Sequence, residues 1–407
     1  MRLRIAAVMA CAVPVARIHS QISPLSRAVA VQTALQRGTR LAVAVADTSL
    51  ARATLISAGT PPNPNITGSY SKAVPTYHLS LDIPVGWPFR RSLAVQSATY
   101  AREAAELRYE FARATVGLDA DTTYTHAIAA RAHMALSRRS ALDADSLLRM
   151  AIRRRDAGDA SDMDVELARV AAGQQANNAA ADSLTYISAV LDLEAVLGMT
   201  ADGIEVEPTD SLTEPPPAVV PTLTLSEAAA ARSVTSAEFS IRHERRAILS
   251  TPVVSFGFEH GDPDQPGILP TFGIGFALPV FDRNRGGIAQ AEAEHTRAVA
   301  ELTLARVTAR NDINHATRER NIAMSRVARD RLLVTSANRV ATMALTAYRE
   351  GQSTLPGVLE AQRTAREILG QYIDDLSNAW VATAELRALA TPVPPAYGGP
   401  QPSPNKP

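Results

Sequence analysis

Apolar positions in this chain follow two different periods, and the places where the period changes divide it into segments. After Pro88, Leu93, Ser97, Tyr100, Ala104, Leu107, Phe111, Ala114 and Leu118 succeed one another in alternating steps of four and three. After Gly287, Ile288, Ala291, His295, Ala298, Leu302 and Ala305 do the same. Beyond Gly351 the seam resumes with Val358, Ala361, Ala365, Ile368, Tyr372, Asp375, Ala379, Ala382, Leu386 and Leu389. Such spacing marks the seam of a coiled coil, and alanine within it lets helix axes approach closely. It predicts helices over 89–156 and 287–350, about 65 residues each and on the order of 100 Å long. No compact domain has a core of that length, so such helices must pack along partners, mostly in other copies of the chain.

Period two appears in four short runs. Ile66, Gly68 and Tyr70 form the first; Leu79, Leu81 and Ile83 the second, with His78, Ser80 and Asp82 on the opposite face. Val254, Phe256 and Phe258 alternate with Ser255, Gly257 and Glu259, and then Phe272, Ile274, Phe276 and Leu278 alternate with Gly273, Gly275 and Ala277. Each pair of runs predicts a β-hairpin. Four strands cannot close a barrel, and an open sheet with one wholly apolar face needs a cover.

The segments recur. Pro64, Pro84-Val85 and Gly158 find counterparts in Pro252, Pro279-Val280 and Gly351, each displaced by roughly 190 residues. An Ala-rich helical run precedes each hairpin, at 26–57 and 224–249. The expected organisation is a signal peptide at 1–20, a first repeat at 21–199, a Pro-rich linker at 200–222, a second repeat at 223–390, and a disordered tail at 391–407. The hairpins fall at about 64–84 and 252–280, and the long helix pairs turn at 158–165 and 351–358. The fold class is mainly α, with long antiparallel coiled-coil helices and four β-strands per chain.

Composition narrows the function. Aromatic residues make up 5% of the chain, the formal net charge is zero, and Lys+Arg total 41, of which only Lys72 and Lys406 are lysines. That balance leaves no electrostatic footprint for nucleic acid. No run of 18 apolar residues follows the N-terminus, which excludes a helical membrane span but not spanning β-strands. Residues 1–20 combine a basic start, an apolar stretch and small residues, the pattern of a secretory signal. The one cysteine, Cys11, lies inside it, where Val8-Met9-Ala10-Cys11 loosely matches a lipidation site. Without a cysteine pair, neither a disulfide framework nor a Cys-based metal site is available.

No nucleophile elbow, P-loop or Cys/His cluster is present, so an enzyme is not expected, nor a cofactor or metal. His126 and His133 stand two turns apart, about 10 Å, too far to share an ion. Glu259-His260-Gly261-Asp262-Pro263-Asp264 gathers the most donors, in a loop better suited to a solvated turn. Asp375, the polar member of its seam, is expected to face a pore or an arginine.

The arrangement resembles the TolC-type outer membrane efflux protein family, in its CzcC-like branch. The resemblance covers roughly residues 28–390. It rests on ALPVFDRNRGGIAQAEAE, where Leu278-Pro279-Val280-Phe281 runs through Asp282-Arg283-Asn284-Arg285-Gly286 into a helix, on the turns Gly158-Asp159-Ala160-Ser161 and Gly351-Gln352-Ser353-Thr354, and on the repeat. It implies a homotrimer whose strands close one twelve-stranded barrel in the outer membrane of a Gram-negative cell, above an α-barrel crossing the periplasm. Leu79, Leu81, Ile83, Val254, Phe256, Phe258, Phe272, Ile274, Phe276 and Leu278 would then face outer-membrane lipid, and His78, Ser80, Asp82 and Glu259 the lumen.

The resemblance further implies that the helix turns, with Gly158, Ser161, Asp164, Val165, Gly351, Thr354 and Val358, meet a periplasmic adaptor (membrane fusion) protein fed by an inner-membrane pump of the resistance-nodulation-division type. Ser161 and Thr354 would cap the returning helices. Glu360, Asp164 and Glu166 are candidates to line the aperture. The second turn departs from the family pattern by carrying Pro356-Gly357 where an apolar residue and an aspartate are common. The implied function is passive export of metal cations or small toxic compounds. The alternative, a periplasmic coiled-coil adaptor or structural protein that spans no membrane, predicts a single helical hairpin flanked by β-rich segments.

Overall fold

The computed structural model describes residues 22–37, 40–199, 205–248, 251–395 and 397. The expected signal peptide and Cys11 lie outside the described residues, as do 200–204 of the linker and most of the tail.

The elements run β1 (Ile22–Leu25), α1 (Arg27–Arg37), α2 (Arg40–Gly59), β2 (Asn65–Tyr70), β3 (Tyr77–Pro84), α3 (Pro88–Asp156), α4 (Asp162–Leu197), β4 (Glu205–Pro208), α5 (Leu225–Arg246), β5 (Val253–His260), β6 (Ile268–Gly275), α6 (Arg285–Arg349) and α7 (Leu355–Leu389). The two longest helices, α3 with 69 residues and α6 with 65, match the expected spans within a few residues. Proline at the start of α3 supplies a fixed φ and lacks only an N–H that would have had no helical partner.

Each long helix is flanked by shorter ones. α2 and α4 pack along α3, and α5 and α7 along α6, while α5 and α7 also meet α3. The layer therefore runs from α2 and α4 through α3 to α5 and α7, and ends at α6. Small residues fill the seams. Ala291 and Ala298, then Ala309, Ala316, Ala323 and Ala337, are the buried alanines of α6, mostly seven residues apart. A stripe this narrow gains little from propensity alone and draws its stability from close helix contact.

Along α3 the seam departs from expectation after Leu107, which is buried. Phe111 is exposed, and burial moves to Val116, Ala120, Tyr124, Ala127 and Ile128. A straight helix of 3.6 residues per turn drifts relative to a strict heptad, so a partner on a fixed side meets a changing set of positions.

Midway along the bundle, β1 and β4 pair in parallel, Ile22 opposite Glu205. The first strand was not expected, and the Pro-rich linker thus supplies an edge strand before continuing without regular structure. Beside it, Arg27 of α1 inserts between α3 and α7. Its guanidinium binds the buried Asp121 carboxylate, lies 2.8 Å from Thr125 Oγ1, and stacks 3.9 Å from the Trp380 ring centre. Arg387 Nη1 reaches the same carboxylate at 3.1 Å. The Tyr124 hydroxyl sits 2.9 Å from both the Leu25 carbonyl and the Asp210 carboxylate. This network ties α1, α3, α7 and the linker together.

Two further expectations are corrected. The start of the tail is packed: Val393 and Tyr397 lie against Leu107 and Leu225, and the Tyr397 hydroxyl binds the Glu106 carboxylate. The helix span Leu41–Gly59 within α2 is long and apolar enough to cross a membrane by length and composition, which the sequence reading had excluded. It packs lengthwise on α3 and is mostly exposed on its other side, with Val43, Val45, Leu50 and Ile56 uncovered.

Candidate functional site

The chain carries two distinctive surfaces at opposite ends of the long helices. The first is the four-stranded antiparallel sheet β2-β3-β5-β6. Its register places Leu79 opposite Phe258, Leu81 opposite Phe256 and Ile83 opposite Val254. Across the next pair, Phe256 faces Phe272 and Val254 faces Ile274. One face is therefore apolar from edge to edge, because period two in each strand is in phase with its neighbours. Phe272 and Ile274 are 72% and 69% exposed, so none of the described residues covers that part of the face. Phe256 and Phe272 meet edge to face at 4.8 Å.

The opposite face is polar and internally bonded. His78 Nδ1 lies 3.3 Å from Glu259 Oε1, and Ser255 Oγ donates to Asp82 Oδ1 at 2.5 Å. Phe276 and Leu278 do not belong to the sheet. β6 begins earlier than expected, at Ile268, and ends at Gly275, which pairs with Val253. β5 starts at Val253, so residues beyond Gly275 have no strand left to pair with in this chain. In the donor-rich loop, His260 Nδ1 lies 2.8 Å from the Gly267 carbonyl and Asp262 accepts from the Asp264 amide. Those side chains serve the turn and do not converge.

The motif that leaves β6 has a definite local role. Asp282 accepts from the Asn284 amide at 2.8 Å, and Asn284 adopts the left-handed conformation with φ of 56°. Its side chain binds Glu244 at the end of α5. A Cβ on Gly287 would come within 2.7 Å of the Glu244 carboxylate. The Asp-x-Asn-x-Gly-Gly pattern thus clasps the start of α6 to the end of α5.

The second surface is the tip, where both helix pairs reverse. Gly158 and Gly351 have φ of 83° and 75°, the left-handed region that a side chain disfavours. Ser161 caps α4, its Oγ accepting from the Asp164 amide at 3.1 Å while the Asp164 carboxylate accepts from the Ser161 amide. Thr354 precedes α7 without a side-chain capping bond, and Pro356 stands in the first turn of that helix.

The tip corrects part of the docking expectation. Val165 and Val358 are 2% and 0% exposed, packed with Leu147, Ala151, Tyr348 and Leu355 in a core shared by both turns. They hold the turns together and present nothing to a partner. Asp164 is engaged in the cap, whereas Glu166 and Glu360 are exposed. Sequence reading missed Arg154, which joins the two turns: its Nη1 donates to the Tyr348 carbonyl at 2.6 Å and its guanidinium lies 4.7 Å over the Tyr348 ring. Three consecutive arginines, Arg153 to Arg155, at the end of α3 were the signal available.

Asp375 meets an arginine, as one of its two expected environments required: Arg326 Nη1 lies 3.3 Å away. Its carboxyl is pushed up to about 6, first by burial and then by a hydrogen bond with Asp330, with Arg326 opposing.

Known proteins were compared with this architecture. Residues 259–391 match the outer membrane efflux protein family. No curated protein matches the chain in sequence. The fold is similar to that of the outer membrane protein VceC from Vibrio cholerae, at 17% identity and a TM-score of 0.75, covering 89% of this chain and 96% of that one. It is similar to the CmeC outer membrane channel of Campylobacter jejuni, at 16% identity and a TM-score of 0.73, covering 96% and 94%. A membrane protein from Pseudomonas aeruginosa is 20% identical with a TM-score of 0.74, covering 91% and 94%. Residues 259–391 thus match the outer membrane efflux protein family, within a chain whose fold is similar to those of the outer membrane protein VceC and the CmeC outer membrane channel.

Proposed function

We propose that this chain is the exit duct of a tripartite efflux system, a homotrimer seated in the outer membrane of a Gram-negative cell. The observation that carries the reading is the uncovered apolar face of the four-stranded sheet, placed at one end of helices about 100 Å long. β3 has eight residues, about 26 Å along its own axis and about 20 Å of height at the usual tilt of barrel strands, which covers most of the apolar band of outer-membrane barrels. Tyr70 and Tyr77 mark one end of the band, and Trp87 and Phe89 the other, consistent with interfacial aromatic girdles.

Closure follows from the edges. β2 and β6 each have one unpaired edge, and the helical layer ends in the exposed apolar positions of α2 and α4 on one side and of α6 on the other. Different surfaces at the two edges favour head-to-tail association, which closes into a ring when the rotation fits. Three copies give twelve strands and remove every edge. The order of helix, hairpin, long helix and shorter helix, met twice along the chain, supports a two-fold internal repeat.

The cargo is metal cations or small toxic compounds, the metal reading resting on the CzcC-like look of the Phe281-Asp282-Arg283-Asn284-Arg285-Gly286-Gly287 stretch. The tip, through exposed residues such as Ser161, Glu166 and Glu360 together with the turn glycines, is the surface for a periplasmic adaptor bound to a resistance-nodulation-division pump. Movement of the helices at the tip would open the duct when the adaptor docks. Electron microscopy of the detergent-purified protein tests this: a three-fold tapered cylinder is expected. A monomeric or rod-like particle recovered from the soluble periplasm would overturn it.

A further inference from the structure

Halfway along the bundle, two helices bring together three metal-binding side chains that have no part in the sheet or the tip. His315 and Glu319 stand four residues apart on α6, so both project from the same helical face. Glu385 approaches from α7. His315 Nε2 lies 3.3 Å from Glu319 Oε1, a separation typical of two ligands on one tetrahedral ion. One ligand atom from each of the three residues lies within 4.8 Å of the others, and among the described residues this is the one group of three that meets that condition.

The charge around these atoms is poorly balanced. Asp312, one turn before His315, adds a third carboxylate. Arg320, adjacent to Glu319 in sequence, is committed elsewhere: its Nε donates to Thr383 Oγ1 at 3.1 Å and its Nη2 to the Pro216 carbonyl at 3.2 Å. Two carboxylates and an imidazole held together are a set that a divalent ion would neutralise and ligate at once.

We infer that His315, Glu319 and Glu385 bind a divalent transition-metal ion that clasps α6 to α7. One nitrogen and two carboxylate oxygens suit Zn²⁺ better than the all-oxygen shells of Mg²⁺ or Ca²⁺. Three protein ligands leave a fourth position for water. The exposed sides of His315 and Glu319 give the ion a way in from solvent. The inference concerns an ion resident on the helix pair and does not depend on what the proposed duct exports.

The test uses the full-length, detergent-purified protein stripped with a chelator and titrated with Zn²⁺ against a chromogenic competitor. One Zn²⁺ per chain is expected, with affinity falling at least tenfold in His315→Ala and in Glu385→Gln and unchanged in His295→Ala, a histidine elsewhere on α6. Zn²⁺ should raise the melting temperature of the parent protein and not that of the two site variants. Co²⁺ in place of Zn²⁺ should give a visible absorption band that His315→Ala loses. Should His315→Ala fail to fold, the near-isosteric Glu319→Gln and Glu385→Gln carry the comparison. Parent protein that binds Zn²⁺ no more tightly than the site variants, or a loss in His295→Ala equal to theirs, would overturn the proposal.

Discussion

Asn284 holds the strand-to-helix turn against the preceding helix through Glu244: its Nδ2 donates to the Glu244 carboxylate at 2.7 Å and to the Glu244 carbonyl at 2.9 Å. The same residue tolerates a left-handed φ that most side chains resist. Two separable effects therefore meet at one position, conformational fit and hydrogen bonding.

Asn284→Ala loses both and should lower the stability of the purified protein by on the order of 1–3 kcal/mol. Asn284→Gly keeps the backbone fit and should recover part of that loss. Gly287→Ala would bring a Cβ within 2.5 Å of Asn284 Oδ1 and should displace the same contact. Thermal melts of the three variants, with the double variant Asn284→Ala/Gly287→Ala less than additive, check the assignment.

At the tip, Val165 and Val358 act as packing residues. Val358→Ala should destabilise by on the order of 1–3 kcal/mol through the cavity it leaves between the turns. Exposed Glu360→Ala should change stability by less than about 0.5 kcal/mol. If the tip meets an adaptor, Glu360→Ala is the variant that alters binding to that partner without altering the melt. Pull-down with the adaptor alongside calorimetry separates the two.

Asp375 gives a pH dependence with a definite sign. Its folded value near 6 stands above the unfolded 3.8, so the folded state binds the proton more tightly. The stabilisation from this group is full below the unfolded value and is lost as pH rises through about 6. Asp375→Asn should therefore melt higher than the parent at neutral pH and show a flatter profile across that window. Melting curves of both proteins over the same buffers would show the difference, since other carboxylates cancel in the comparison.

For the sheet, Phe272→Arg places a charge on the uncovered apolar face, and Thr271→Arg places the same charge at nearly the same height on the other. If the apolar face meets lipid, Phe272→Arg should cost about 2–4 kcal/mol per chain in the membrane and sharply reduce assembled protein in the outer-membrane fraction, whereas Thr271→Arg should be tolerated. Equal losses in both would contradict the proposed orientation.

Much of this fold is written in local periodicity. The alternation of Val254, Phe256 and Phe258 with Ser255, Gly257 and Glu259 determined which side of β5 is apolar, because strand side chains alternate whatever the partner. Alanine at helical spacing likewise determined the long helices, and the positions of Gly158 and Gly351 their reversals. These features depend on neighbours within one turn or one hairpin. The tertiary structure alone decided the rest. Val358 is core and not contact because the two turns pack on each other. Phe111 is exposed because the partner helix no longer follows its side of α3. The Arg27 to Asp121 pair, and the meeting of Glu385 with His315 and Glu319, join residues far apart in sequence. Composition and period carry no record of such pairs, since each member alone is indistinguishable from an ordinary charge on a solvated helix, and only the packing of one helix against another brings them within reach.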